Sequence, residues 1–179
     1  MTASDSGLAP LRLRLQVPPG PAHRGEPVPV RVEVENTGAS PVPCVGVLDG
    51  SESGLRYPRW APVVRRGSET VARPGPVEDP LVGPLRRADV VTLSPGGTFD
   101  PTSAEGGRAY LPLSTFAAFR PAAPGRYTFE LALDTREPEP ERWLGRFGQG
   151  TDAERAGLLM AVRRIPAVLL VATVDVDVG

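Results

Sequence analysis

The alternation of apolar and polar residues is clearest over residues 121–134. Tyr127, Phe129, Leu131 and Leu133 occupy every second position there, so an extended strand would place them on one face and the residues between them on the other. A Pro-Gly turn precedes the tyrosine, which is typical of a tyrosine corner: the ring is buried and its hydroxyl binds the backbone upstream. We therefore predict a half-buried antiparallel strand anchored by Tyr127.

Short stretches of the same kind recur along the chain, separated by turns rich in glycine and proline. They are Leu11–Val17, Val28–Glu35, Pro43–Leu48, Asp89–Leu93 and a stretch that begins at Thr98. Each inward-facing Val or Leu contributes about 1.5–3 kcal/mol when it is fully buried, so these strands can enclose a core between two sheets. Their length and spacing predict a mainly β protein, an antiparallel β-sandwich rather than an α/β fold.

One helix is expected near the C-terminal end. Thr151 and Glu154 form the sequence pattern of a capping box, and Pro166 would end the helix that it opens. The apolar positions at helical spacing are Leu158, Leu159, Val162 and Ile165. The pattern therefore predicts a helix over residues 151–165 with one apolar face.

A last strand is expected after this helix. Residues 167–172 are apolar throughout, whereas residues 173–178 alternate between valine and polar side chains. We expect a strand whose first half is covered on both faces and whose second half has one face in water. Asp175 and Asp177 would lie on that wet face, where charges discourage pairing with other chains. A calcium or acid–base site is the alternative, without the glycine-braced loop that calcium sites use.

Residues 49–88 interrupt the strand pattern. They are rich in Pro, Gly and Arg and show little periodicity, so we predict an irregular insertion, and loops of this length are often functional. Residues 1–10 are small and polar and are expected to form a disordered tail. Residues 11–179 show no repeat or linker and are predicted to be a single domain.

Composition excludes several kinds of chemistry. All 20 basic residues among the 179 are arginine, so neither a Schiff base on lysine nor a P-loop lysine is available. Cys44 is the only cysteine, which rules out an internal disulfide and a thiolate zinc cluster. The net charge of −1 gives no general attraction to nucleic acid or to an anionic membrane. No signal peptide or membrane span is recognisable, so we expect a cytoplasmic protein without a metal or cofactor.

Three turn-and-strand segments together resemble a known class of domain. They are Val32–Gly38, Leu93–Phe99 and Pro124–Phe129: a strand that ends in an Asn-x-Gly turn, a Leu-x-Pro-Gly turn, and a Pro-Gly-x-Tyr start. In this order they resemble bacterial immunoglobulin-like β-sandwich domains, including the intracellular proteinase inhibitors of the BsuPI type. The resemblance implies an immunoglobulin-like sandwich and, for the inhibitors, an aromatic and basic segment between the early and middle strands. Leu55–Trp60 occupies that place in this chain.

The strongest candidate for recognition lies in the insertion. Tyr57, Arg59, Trp60, Arg65 and Arg66 lie close together in sequence, and these residue types are enriched at binding hot spots. Alternatively, the rings pack on the sandwich and the arginines are solvated or stack on them. The insertion has seven arginines against five acids, which is too small an excess to predict nucleic-acid binding.

Other candidate chemistry is weak. The Gly-rich residues 145–151 lead into the predicted helix and could hold an anion, but Asp152 and Glu154 already place negative charge there. His23, the only histidine, has no nucleophile motif beside it, and Cys44 lies in a predicted strand. We therefore expect an exposed loop histidine and a small core cysteine.

We predict a non-enzymatic, cytoplasmic binding module that presents the insertion to a protein partner. Three alternatives stay open: an intracellular proteinase inhibitor that uses the same loop, a hydrolase or lyase, and a structural subunit of a homo-oligomer. The hydrolase or lyase would use carboxylates such as Asp49, Asp89 and Asp100. In the homo-oligomer, Leu11–Val17 or Val174–Val178 would be an edge strand that pairs with its copy.

Overall fold

Antiparallel strands make up most of the regular structure in the part of the chain that a computed structural model describes, residues 9–76, 81–145 and 150–179. The strands are β1 (Leu11–Gln16), β2 (Arg31–Asn36), β3 (Val42–Val45), β4 (Arg59–Arg66), β5 (Glu69–Ala72), β6 (Val90–Leu93), β7 (Thr98–Phe99), β8 (Gly125–Asp134) and β9 (Leu169–Val178). The α-helices are α1 (Ser114–Ala118) and α2 (Asp152–Val162), and short 3₁₀ helices lie at Arg87–Asp89, Glu105–Gly107 and Pro140–Trp143. The predicted mainly β fold, with a C-terminal helix before a last strand, is confirmed.

The strands form three antiparallel sheets, with the orders β1-β2-β7, β3-β6 and β5-β4-β8-β9. β8 pairs with β9 along its whole length, and its other side pairs with β4. Inward-facing side chains of all three sheets meet in one core, which includes Leu13, Val34, Leu93, Trp60 and Phe129. The finer arrangement, an immunoglobulin-like sandwich, stays a prediction.

β8 follows the alternation that its sequence predicts. Tyr127, Phe129, Leu131 and Leu133 are buried, and the residues between them are more exposed. The Tyr127 hydroxyl donates a hydrogen bond of 2.8 Å to the carbonyl oxygen of Ala123, upstream of the strand. This contact confirms the tyrosine corner, and it ties the loop before β8 to the strand.

Asn36, the only asparagine, joins two turns at the end of β2. Its buried side-chain nitrogen donates to the carbonyl oxygens of Ser40 and Leu93, both at 2.9 Å, and its side-chain oxygen accepts from the Gly38 N–H. Its backbone N–H donates to the carbonyl oxygen of Gly97. Because these groups are all paired, the amide can be buried without the cost of an unsatisfied polar group.

The predicted irregular insertion, residues 49–88, contains a hairpin of the four-stranded sheet, and the prediction is wrong for this part. β4 places Trp60, Pro62 and Val64 on its buried face, with the same period of two as the other strands. Proline is rare inside strands, so Pro62 concealed the alternation of β4 in the sequence. A two-residue loop joins β4 to β5, and the φ of +60° at Gly67 suits the first position of a type II′ turn.

A second buried cluster lies beside the main core and is closed by α2. It contains Val45, Leu48, Tyr57, Leu85, Tyr110, Trp143, Leu144, Leu158, Leu159, Val162 and Ile165. The last four are the predicted apolar face of the helix. At the start of α2, the Thr151 hydroxyl accepts from the Glu154 N–H at 3.3 Å, and the Glu154 carboxylate accepts from the Thr151 N–H at 2.7 Å. The capping box is confirmed, and Leu158, Leu159 and Val162 form the buried face of the helix. The helix ends at Val162, before its predicted end, and Ile165 packs on the cluster from the turn that follows.

β9 departs from its prediction in its first half. Leu169 and Val171 are 48% and 58% exposed, because α2 packs on the second cluster and not over the outer face of the sheet. The second half alternates as expected, with Val176 and Val178 buried. The expectation that residues 167–172 are covered on both faces is therefore wrong.

The predicted disordered tail, residues 1–10, lies outside the described residues except for Ala9 and Pro10. The Thr37 N–H donates to the Pro10 carbonyl oxygen at 2.9 Å, and the Thr37 hydroxyl donates to the Ala9 carbonyl oxygen at 3.4 Å. These two residues therefore belong to the folded domain.

Candidate functional site

The geometry of β4 separates the five residues that are predicted to contact a partner. Successive side chains of a strand point to opposite faces. Trp60 therefore points into the core, while Arg59 and Arg65 lie on the outer face of the four-stranded sheet. Arg66, the last residue of β4, shares the face of Trp60 but is exposed beyond the end of the core. Tyr57 precedes the strand and belongs to the second cluster.

The two aromatic rings of this set are buried. Trp60 is 0% exposed and Tyr57 is 7% exposed, so neither ring can be offered to a partner in this conformation. Tyr57 packs against Trp143 with the ring centroids 6.0 Å apart, and the Cζ of Arg59 lies 4.6 Å from the centroid of the Tyr57 ring. This packing agrees with the alternative interpretation, in which the rings stabilise the fold and an arginine stacks on them.

Arg56 explains why the first part of the insertion packs inward. Its buried guanidinium donates to the carbonyl oxygens of Gly83, at 2.8 Å, and Trp143, at 2.5 Å, and so joins three segments of the chain. Burial lowers the pKa of Arg56 to about 10, although the nearby charges of Asp49 and Asp89 act to raise it. The side chain therefore keeps its charge at neutral pH, and its contacts are structural.

Arg65 is accessible but already has partners on the outer face of the sheet. Its Nη1 donates to the Thr70 hydroxyl at 3.1 Å, and its Nε lies 3.8 Å from a carboxylate oxygen of Glu130. Such an exposed ion pair contributes at most about 1 kcal/mol to stability. Arg65 therefore adds little free positive charge to this face.

An open groove of about 670 Å³ lies where Arg66 is exposed, at the end of the core. β5, the end of α1 and the loop from α1 into β8 form its walls. The lining residues that matter for its chemistry are Arg66, Glu69, Val71, Arg73, Phe119 and Arg120. Of the five residues in the predicted set, Arg66 lines this groove.

Hydrogen bonds hold the walls of the groove in place. The Glu52 carboxylate accepts from the backbone N–H and the hydroxyl of both Ser114 and Thr115, and so caps the N-terminus of α1. On the other wall, Nη2 of Arg66 donates to the carbonyl oxygen of Pro124 at 2.7 Å. Together with the tyrosine corner, these contacts make the groove a preformed feature of the fold.

The lining of the groove carries an excess of positive charge. Three arginines, Arg66, Arg73 and Arg120, accompany one acid, Glu69. Arg73 is exposed, and its side chain makes no hydrogen bond or ion pair with any other described residue. Guanidinium groups bind carboxylates and phosphates through pairs of N–H donors. The groove therefore suits an anionic ligand.

The groove residues other than Arg66 were missed by sequence reasoning. Arg73 follows β5, whereas Phe119 and Arg120 follow α1, so only the pairing of β4 with both β5 and β8 brings them together. The alternation over β4 could have led to them. It predicts a strand that ends at Arg66, and a hairpin from there would return a second strand to Arg73 at the edge of the sheet.

The carboxylates of the predicted hydrolase or lyase site are held in separate local hydrogen bonds. Asp49 accepts from the Gly83 N–H at 3.2 Å, and Asp100 accepts from the N–H and the hydroxyl of Thr102 at 2.8 and 2.6 Å. Within residues 9–76, 81–145 and 150–179, no group of three or more His, Cys, Asp or Glu side chains is arranged to hold a metal ion.

Asp89 is fully buried and is held by its neighbours as a carboxylate. Burial acts to raise its pKa, but hydrogen bonds from the Arg86 side chain and from the backbone N–H groups of Ala109 and Arg86 outweigh this effect. The pKa of Asp89 therefore lies below its ordinary value. A general acid at neutral pH needs a raised pKa, so the environment of Asp89 favours a structural role.

His23 and Cys44 lie where the sequence predicts. His23 is exposed in the loop between β1 and β2. Cys44 is 4% exposed in the core, and burial raises the pKa of its thiol to about 12, so it is not a thiolate nucleophile. Residues 146–149 of the predicted anion loop, 145–151, lie outside the described residues, and that site stays a prediction.

Asp175 and Asp177 lie on the exposed face of β9, as predicted. Asp175 accepts from the Thr128 hydroxyl at 2.7 Å, and Asp177 forms an ion pair with Arg126 at 3.0 Å. The ion pair lowers the pKa of Asp177. Both carboxylates thus have partners on the neighbouring strand β8, which favours the interpretation of this face as a solvated sheet surface.

Comparison with protein-family models, with curated proteins and with solved structures finds no match for this chain. The resemblance to immunoglobulin-like domains and to the BsuPI-type inhibitors therefore stays a prediction. Among the helices of the described residues, none combines the length and the apolar character needed to cross a membrane.

Proposed function

We propose that this protein is a non-enzymatic, cytoplasmic binding module that holds a protein partner in the arginine-lined groove beside β5. The groove itself carries the proposal: it is open, has a volume of about 670 Å³, and is lined by three arginines and one acid. Ligand sites of proteins have volumes of about 300–1,000 Å³, so this groove can take a short segment of a partner chain.

The proposal keeps the predicted class of function, a binding module, but places the contact with the partner in the groove. Arg66 stays in the site, and Arg65 lies on the adjoining outer face of the sheet. Trp60 and Tyr57 belong to the scaffold because they are buried, and Arg59 stacks on one of these rings. The proteinase inhibitor alternative uses the same loop, residues 49–88, whose segment Leu55–Trp60 contains these two buried rings.

Affinity capture from a lysate of the source organism tests the proposal. The baits are wild type, the groove variant Arg66→Gln/Arg73→Gln, and the control Arg163→Gln/Arg164→Gln, which removes the same charge at the exposed end of α2. We expect a protein that wild type and the control retain and the groove variant loses. Equal capture by all three baits, or capture by none, contradicts the proposal. Thermal unfolding of each bait checks that it is folded.

A second candidate function, a structural subunit of a homo-oligomer, is favoured by an apolar patch on the outer face of the four-stranded sheet. Val171 of β9 lies beside Ala132 of β8, which lies beside Ala61 of β4, and Leu169 is exposed next to them. Sedimentation of wild type beside Val171→Asp tests this candidate. A wild-type oligomer that the substitution dissociates supports it, and a monomeric wild type contradicts it.

Of the two predicted edges for self-association, the end of β9 is not favoured, whereas β1, an edge strand in the order β1-β2-β7, stays open. The end of β9 is already bridged to the loop after β1: the Ala22 N–H donates to the Asp177 carbonyl oxygen at 2.9 Å, and the Gly179 N–H donates to the Ala22 carbonyl oxygen at 3.0 Å. Since this edge has partners within the chain, a copy would have to displace them.

A further inference from the structure

β5 is a free edge of the four-stranded sheet. In the order β5-β4-β8-β9 it pairs with β4 on one side, and no strand of the described residues pairs with its other side. The opposite edge, β9, is bridged at its end, where Ala22 pairs with Val178. A free edge presents unpaired backbone N–H and C=O groups to which another extended chain can pair.

β5 contains no proline, although it is four residues long and carries Glu69, and a short strand and a charge are two of the devices by which natural edges resist pairing. The pairing with β4 shifts register so that Val64 lies opposite Ala72 and Arg65 opposite Thr70, which leaves Val71 as the extra residue of a bulge. Val71 is 37% exposed and lines the groove, so the bulge turns an apolar side chain toward it.

The charges of the groove differ in where they lie relative to this edge. Arg66 belongs to β4, and its Cζ lies 5.8 Å from the centroid of the Tyr127 ring in β8, on the side away from the free edge. Arg73 directly follows the last residue of β5, and Arg120 stands on the opposite wall. Phe119 adds an apolar surface to that wall and packs on the ring of Tyr127, with centroids 5.6 Å apart. A strand laid along β5 would therefore meet Arg73 at one end of the edge, with the apolar side chains of Val71 and Phe119 beside it.

We propose that the segment bound in the groove is an extended acidic peptide that adds a strand to β5, with its carboxylates on Arg73 and Arg120. This inference rests on the proposed function and names the kind of segment that the groove holds. Backbone hydrogen bonds to the edge supply affinity, and the alternate side chains that face the groove supply specificity. A basic segment would face like charge, and a phosphate ligand would lack the backbone groups that β5 can pair with.

Three synthetic peptides separate strand addition from simple charge attraction. One alternates glutamate and valine, the second alternates glutamate and proline, and the third alternates lysine and valine. The proline peptide keeps the negative charge but loses half of its N–H donors, and proline is tolerated poorly in a paired strand. Affinity is measured by calorimetry at constant ionic strength, because charge interactions of this kind are screened by salt.

We expect the glutamate–valine peptide to bind wild type and the control Arg163→Gln/Arg164→Gln with equal affinity. Binding to Arg66→Gln/Arg73→Gln should be at least about tenfold weaker, which corresponds to the loss of one charge-assisted hydrogen bond. The glutamate–proline peptide should bind wild type at least about tenfold more weakly than the glutamate–valine peptide, and the lysine–valine peptide should not bind. Hydrogen exchange at residues 69–72 should slow when the glutamate–valine peptide is bound.

Four results would overturn the inference. Equal affinity for the valine and proline peptides, or unchanged exchange at β5, would show that the ligand does not add a strand. If wild type and Arg66→Gln/Arg73→Gln bind the glutamate–valine peptide with equal affinity, the substituted arginines do not contribute to peptide binding. A partner that is captured through the groove while the glutamate–valine peptide fails to bind would leave the proposed function in place and show that this inference is wrong.

Discussion

The two parts of residues 49–73 have similar composition and opposite roles. Residues 49–58 pack inward around Arg56, whose guanidinium binds two backbone carbonyl groups from other segments. Residues 59–73 form a hairpin whose end and outer edge face the open groove. Both parts contain arginine and an aromatic residue, yet the first part fixes the fold and the second offers charge to a ligand.

The difference between these parts shows what composition leaves undecided. Tyrosine, tryptophan and arginine are enriched at binding hot spots because they combine large area with hydrogen-bond donors. The same properties suit a buried cluster, and here both rings are used that way. The period of two along β4 separates the roles, because it sends Trp60 into the core and carries Arg66 past the end of it.

Trp60→Ala gives the largest expected effect and tests whether β4, in the second part, sends alternate side chains into the core. The variant loses about 3–5 kcal/mol of unfolding free energy, because truncation of a fully buried aromatic residue leaves a cavity. Urea denaturation measures the loss, and Trp60→Phe, which should lose less, is the control. A loss below about 1 kcal/mol would contradict the burial of Trp60, since core truncations of this size cost more.

Arg56→Met separates the two parts most clearly by stability. It leaves the carbonyl oxygens of Gly83 and Trp143 without their donor, which should cost about 1–3 kcal/mol. The matched control Arg73→Met changes an exposed arginine and should shift the unfolding free energy by no more than about 0.5 kcal/mol. If urea denaturation shows that both substitutions lower the unfolding free energy equally, the distinction between residues 49–58 and residues 59–73 is wrong.

Asp89→Asn tests the buried Asp89 carboxylate through the pH dependence of stability. Because the pKa of Asp89 is lowered in the folded state, its contribution is present above the ordinary aspartate value of about 3.9 and is lost as the pH falls through the folded pKa. The variant should therefore be less stable than wild type at pH 7, and the difference should shrink as the solution is acidified below about pH 4. Other carboxylates titrate in both proteins, so the difference between the two curves isolates Asp89. Parallel curves from pH 7 to pH 2 would contradict this assignment.

Tyr127→Phe gives the smallest expected effect and tests the wall of the groove. It removes the hydroxyl that donates to Ala123 and keeps the ring in the core, so stability should fall by about 0.5–1.5 kcal/mol. Hydrogen exchange in the loop before β8 should rise at the same time, because that loop loses its contact to the strand. Unchanged exchange in this loop would show that the tyrosine corner does not hold the wall.

The elements that sequence predicted depend on neighbours close in the chain. The strand β8 follows from its own alternation, and the start of α2 follows from Thr151 and Glu154. The Asn36 turn was also predicted, but its hydrogen bond to the carbonyl oxygen of Leu93 joins residues far apart in sequence. No local pattern specifies such a partner.

The features that sequence missed depend on pairing between distant segments. Pro62 and the surrounding arginines made β4 look irregular, although its buried face keeps a period of two. The groove needs β5 and the loop after α1 to meet at Arg66, and this follows only from the order of the sheet. The exposure of Leu169 and Val171 was likewise missed, because an apolar run does not reveal whether a helix covers it.

The most direct test measures stability and binding together for Arg56→Met and Arg73→Met. Each variant is unfolded in urea and, when folded, titrated with the glutamate–valine peptide. The account predicts that Arg56→Met loses about 1–3 kcal/mol of stability and keeps its affinity for the peptide. Arg73→Met should keep its stability and bind more weakly. Weakened binding in folded Arg56→Met with unchanged binding in Arg73→Met would contradict the division of roles between the two parts.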